Sequence, residues 1–325
     1  MRRIPLPCLV TTLLAVLWLS SASAQQPPRV LQGHRTGVFS LAFSPDGSVL
    51  LAGCRDGTVT AWNVADGTPR TSYQVHRFDV NAIALSPDAR MVATGSVEPE
   101  IHLYDVGKRQ LVGTLIGHKK PVSALAFNRT GTHLVSGSQD HTIRVWDTQS
   151  RKELLSVKGH VFEGQSRPVN AVEFNPDFTL LATGGNDGFL RLWDTKTARE
   201  VAAYPTVVAV DTLAFSPDGA RVAAAGDPGR KVHVWDVKSG KEVLTLDGHT
   251  AGVTAIRISP DGRLIATTGK DKTVRLWDAT TGQPAAVLEG HESDVYCLAF
   301  SPVSRILASG SLDRTVRLWN VPPGR

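Results

Sequence analysis

One unit of sequence recurs seven times along this chain of 325 residues. Each copy closes on an aromatic residue followed by Asp or Asn: Trp62-Asn63, Tyr104-Asp105, Trp146-Asp147, Trp193-Asp194, Trp235-Asp236, Trp277-Asp278 and Trp319-Asn320. Successive aromatics stand 42 residues apart, except for 47 between Trp146 and Trp193. A fixed period of this length marks stacked supersecondary units, each too small to bury its own apolar face. Length alone would allow one domain or two; the repeat makes it one closed domain.

The third copy shows what a unit contains. Val122 to Phe127 reads as an apolar strand, Asn128-Arg129-Thr130-Gly131 as a turn, and Leu134 to Ser138 as a second strand. A third strand runs from Ile143 to Trp146 and a fourth from Glu153 to Val157, with side chains alternating at period two. The first turn recurs as Ser44-Pro45-Asp46-Gly47, Ser86-Pro87-Asp88-Ala89, Ser216-Pro217-Asp218-Gly219 and Ser259-Pro260-Asp261-Gly262. Proline presets φ there, and glycine tolerates the exit conformation. Five copies also carry an upstream Gly-His, at His34, His118, His160, His249 and His291. Gly-His with Trp-Asp at this spacing resembles the WD-repeat β-propeller family, from about Arg29 to Asn320. The expected fold is all-β, a single seven-bladed propeller of four-stranded antiparallel blades. The seventh copy stops short of a fourth strand, and Val321 to Arg325 is too Pro-rich to supply one. Arg29-Val30-Leu31-Gln32 is expected to complete that blade and close the ring, so that no edges remain open.

The resemblance implies a structural tetrad in four copies: His118, Ser136, Asp140 and Trp146; His160, Thr183, Asp187 and Trp193; His249, Thr267, Asp271 and Trp277; His291, Ser309, Asp313 and Trp319. The indole would donate to the hydroxyl, the hydroxyl would bond the imidazole, and the imidazole would donate to the carboxylate. A Ser–His–Asp set also invites a hydrolase reading. Four equivalent sets, two with Thr, fit blade-locking networks better than one active site. The first copy has Ala52 in place of the hydroxyl. The second keeps His76 and Thr94 but carries Glu98 and Tyr104. The fifth retains only Trp235, so its blade is expected to be the least internally locked. His102 and His233, two before the blade aromatic, are expected on a solvated strand face, and Asn128-Arg129-Thr130 has the form of a glycosylation sequon.

Residues 1–24 read as an export signal. Arg2 and Arg3 precede an apolar stretch from Leu9 to Leu19, and Ala22-Ser23-Ala24 offers small residues for cleavage, leaving 25–325 as the propeller. The stretch is short for a membrane span, which needs about 20 residues. The protein is expected in the periplasm or secreted, without a membrane span after cleavage. Losing Arg2 and Arg3 lowers the net charge of +5 by two, to +3. That mild balance, with no basic run interleaved with aromatics, argues against nucleic acid. Cys54 and Cys297 remain, expected as separate buried thiols; no spacing suits zinc, and no cofactor is expected.

The expected function is a monomeric, non-enzymatic scaffold for protein partners. The alternatives are an exported propeller enzyme of lactonase or hydrolase type and a small-ligand sensor, each with a site at the channel mouth. The five extra residues of the long period fall within Val161 to Arg167, in a loop that the family places on its top face. Partner binding is expected there, centred on Phe162, Arg167 and Arg230, with Arg35, Arg77 and Phe78 on the same face.

Overall fold

A computed structural model describes residues 27–206 and 208–322. The expected export signal, residues 1–24, lies outside the described residues. Seven four-stranded antiparallel sheets follow one another, plus one two-stranded hairpin. There is no helix among the described residues.

Each blade starts with a strand at the centre of the ring and steps outward. In blade three these are Val122–Phe127, His133–Ser138, Thr142–Asp147 and Glu153–Lys158. Local chemistry makes the turns. In Ser44-Pro45-Asp46-Gly47 the Ser44 hydroxyl donates to Asp46 Oδ1 at 2.5 Å and accepts the Val49 N–H at 2.9 Å, with Gly47 at φ 67°. The same hydroxyl-to-carboxylate bond forms at Ser86, Ser216 and Ser259. These bonds pin the first two strands of those blades in register.

A register shift recurs near the start of the first strand in six blades, as between Val122 and Ala124. The bulge aims the second residue of that strand toward the ring centre. Start of first strand and end of second are paired, Val122 with Ser138. The loop entering each blade and the turn between its second and third strands therefore share one face, called the top face below.

The core is divided into seven. Each apolar cluster lies between two neighbouring blades, as where Leu134 and Trp146 of blade three meet Leu103 and Leu115 of blade two. The cluster between blades seven and one contains Leu31, Val38, Trp62, Val316 and Leu318. Sheets approach closely here: a Cβ on Gly137 would stand 2.9 Å from Val169 of the next blade.

Arg29–Leu31 pairs antiparallel with Val316–Asn320, Val30 opposite Arg317, and completes blade seven. Leu31 is fully buried, and Arg29 Nη1 donates to the Val64 carbonyl of blade one at 2.9 Å. One short strand thus finishes the last blade and touches the first.

Candidate functional site

The polar residues of four copies converge in the same way. In blade three His118 Nε2 lies 2.7 Å from Ser136 Oγ, its Nδ1 lies 2.9 Å from Asp140, and Trp146 Nε1 donates to Ser136 at 2.9 Å. In blade four the distances from His160 are 2.9 Å to Thr183 and 2.7 Å to Asp187, and Trp193 donates to Thr183 at 2.8 Å. His249 lies 2.8 Å from both Thr267 and Asp271, and Trp277 donates to Thr267 at 2.9 Å. His291 lies 2.7 Å from both Ser309 and Asp313, and Trp319 donates to Ser309 at 2.8 Å. All four hydroxyl residues are fully buried.

The carboxylates also hold the top-face loops. Asp140 accepts the Lys119 N–H and the Thr142 N–H and hydroxyl. Burial alone would raise its pKa; the bonds from His118, Thr142 and Lys119 outweigh that and hold it well below the usual carboxylate range. Asp271 and Asp313 are held low in the same way. Each line runs from ring to carboxylate with every member engaged, and no hydroxyl faces solvent.

Blades one, two and five depart from this. In blade one Ala52 is fully buried, and His34 Nε2 and Trp62 Nε1 have no partner among the described residues. His34 turns its Nδ1 to the Cys54 sulfur at 3.2 Å, and burial pushes its pKa down to about 4. Cys54 and Cys297 are buried free thiols, and burial raises the Cys54 thiol to about 12. In blade two His76 still bonds Thr94 at 3.0 Å and Glu98 at 2.9 Å. Tyr104 instead donates to the Val75 carbonyl.

One expectation needs correction. His102 is not on a solvated face: it stacks on His76 at 4.3 Å and bonds the Val75 carbonyl. At the equivalent position Arg144 and Arg191 are mostly buried and paired with Glu153 and Glu200, and His233 bonds Glu242. The sequon residue Asn128 is buried, its amide donating to Thr130 and Thr132 inside its own turn. Blade five lacks the internal lock, as expected, and is fastened sideways instead. Thr212 accepts the Ile256 N–H of blade six at 3.0 Å, and Lys270 of blade six pairs with Asp227 at 2.7 Å. On the other side Asn170 of blade four donates to Asp211 at 2.7 Å, and Asp211 also accepts the Asp227 N–H.

The inserted residues form a hairpin. Val161–Phe162 pairs with Gln165–Ser166 around Glu163 and Gly164, both at positive φ, 49° and 75°. A two-residue turn of that hand matches the twist of its strands. Nothing stands within 4 Å of a Cβ on Gly164, so the tip projects free of the disc. Arg167 closes the base, its N–H donating to the His160 carbonyl at 2.8 Å. The Phe162 side chain lies outside the described residues. Arg167, Arg35, Arg77 and Phe78 sit in loops entering blades four, one and two, and Arg230 in the turn between the second and third strands of blade five. All therefore lie on the top face, with Phe78 54 % exposed.

A family model described as WD domain, G-beta repeat matches at residues 25–63, 67–105, 109–147, 152–194, 205–236, 240–278 and 282–320. The chain belongs to the WD-repeat family. No curated protein matches it. WD-repeat propellers are commonly protein-interaction scaffolds and typically not enzymes.

Sequence reasoning expected a channel mouth but missed the charged groups that line the channel, a cavity of about 430 Å³ walled by the seven first strands. At the penultimate residue of each strand, five blades place alanine: Ala42, Ala84, Ala126, Ala214 and Ala299. Blade four places Glu173 there and blade six Arg257. The signal was in the repeat itself, at positions that depart from it away from the polar lock. Among the described residues no cluster of three or more His, Cys, Asp or Glu could hold a metal ion.

Proposed function

We propose that this WD-repeat protein is an exported, non-enzymatic scaffold that captures a protein partner on its top face over blades four and five. The observation that carries this reading is the projecting hairpin Val161–Ser166. Ring geometry does not require it, and it shares its face with the exposed Arg35, Arg77 and Arg230. The buried hydroxyls count against a hydrolase built on the tetrads, because a nucleophile must reach its substrate. Export rests on the sequence of residues 1–24; N-terminal sequencing of the native protein should begin at Gln25, and an intact Met1 in a membrane fraction would contradict it.

The binding test is cross-linking in the native compartment followed by mass spectrometry. The captured partner is then titrated against wild type and Phe162→Ala/Arg167→Ala. The double variant should bind at least about tenfold more weakly, a loss of about 1.4 kcal/mol or more. Undiminished binding would remove this face from consideration.

A further inference from the structure

The channel wall is mostly polar, with a charged sector over blades four to six and one aromatic pair. Glu173 and Arg257 flank Ala214 of blade five, at one depth, because all three occupy the penultimate position of their strands. Their charges act on each other, yet no ion pair joins them. Arg257 donates once, from Nη1 to the Ile256 carbonyl at 2.7 Å, and is otherwise exposed to the cavity. Toward the top face the same sector carries Asn170, Asp211 and Thr254. Next to blade six, Tyr296 of blade seven meets Phe39 of blade one edge to face at 5.1 Å. The cavity is of the size that small-molecule sites occupy, and its lining is mostly polar.

An acid and a base held near each other but apart leave a gap that a ligand of both charges fills. The geometry points to the channel as a binding site for a free α-amino acid, its carboxylate on Arg257 and its ammonium on Glu173. The guanidinium fork suits a carboxylate. Among the described residues Glu173 supplies the only acceptor charge at that strand position, where the other five blades have alanine. The amino acid's side chain is directed up the channel toward Phe39 and Tyr296. Half-buried in a narrow wall, Glu173 has its pKa pushed up to about 7, chiefly by burial and against the pull of Arg257. An arriving ammonium relieves that cost. This site is separate from the top-face reading and stands without it.

The test uses the full chain and free L-phenylalanine, followed by each other proteinogenic amino acid, in thermal-shift and calorimetric titrations. At least one amino acid should raise the melting temperature and bind at one site. N-acetyl-phenylalanine and phenylalaninamide, each lacking one charge, separate a free amino acid from the end of a peptide. Together with Arg257→Ala and Glu173→Ala, they should lose at least about tenfold in affinity. Glu173→Ala/Arg257→Ala gives these two blades the residue of the other five, so it should fold, and its melting temperature verifies that. If no amino acid binds wild type, if the folded double variant binds as well, or if the blocked compounds match the free ones, the proposal is overturned.

Discussion

Ala52 stands where five other blades place a hydroxyl, and two buried polar atoms, His34 Nε2 and Trp62 Nε1, are left without a partner. Burying polar atoms without partners costs more than a made bond returns. Ala52→Ser should therefore stabilise the protein by about 1–3 kcal/mol, read as a higher urea midpoint at unchanged slope. The reverse change in a complete tetrad, Asp140→Ala, strands the His118 ring and two backbone N–H groups and should cost about 1–3 kcal/mol or more. pH separates two further residues. Burial lowers the His34 pKa from 6.5 to about 4, so the unfolded chain binds the extra proton between those values. Its share of stability is whole above pH 6.5 and is lost as pH falls toward 4, on the order of 3 kcal/mol. Glu173 has the opposite sign: its pKa is raised from 4.5 to about 7, so the folded state holds the extra proton. Stability falls as pH rises through that window, by at most about 3 kcal/mol, since water in the channel trims it. The two slopes largely cancel in wild type. Glu173→Gln should unmask a stability that climbs from pH 4 to 6.5, and a flat profile in that variant would contradict the His34 assignment.

Two elements break the repeat, and both lie on the same arc of the ring. The hairpin Val161–Ser166 is self-contained, and Arg167 closes it by a backbone bond to His160. Removing Val161 to Gln165 returns the spacing to that of blade three, where Lys119 to Pro121 joins His118 to Val122. The shortened chain should keep its stability to within about 0.5 kcal/mol, measured by denaturation, while losing the captured partner. Blade five gives up the internal lock and is tied to its neighbours instead. Asp211 takes bonds from Asn170 and the Asp227 N–H, and burial raises its pKa. Asp211→Ala should cost about 1–3 kcal/mol and speed amide exchange along Thr212–Phe215. Lys270→Ala removes only a part-exposed ion pair with Asp227 and should cost less than about 1 kcal/mol. Equal losses at the two sites would show that the clamp does not depend on Asp211.

At the scale of the molecule, every apolar cluster spans two blades, so no blade has a core of its own. Cooperativity then depends on the ring being closed. The closing strand is three residues long, Arg29–Leu31, and buries Leu31 completely. Deleting Arg29 to Gln32 exposes the edge of Val316–Asn320 and opens the cluster between blades seven and one. The truncated protein should aggregate or melt over a broader range, and a melting curve like that of the full chain would refute this account of closure.

The sequence by itself determined the number of blades, the four strands in each, the turns between them and the sharing of the last blade between the two ends. Those follow from local chemistry repeated at a fixed period: Ser44 with Asp46, or the alternation along Thr142–Asp147, acts within a few residues. The same period exposed Ala52, Glu98 and the missing histidine of blade five as departures. What those departures become was decided by tertiary structure. His102 is polar in a strand and reads as solvated; only packing brings it against His76. Blade five reads as lacking its internal lock, and only its neighbours in the ring supply Ile256, Lys270 and Asn170 as partners. Glu173 and Arg257 are 84 residues apart in sequence, two periods, and nothing local relates them. They share a channel because closing the ring brings the inner strands of blades four, five and six side by side, a long-range constraint that period and propensity do not contain.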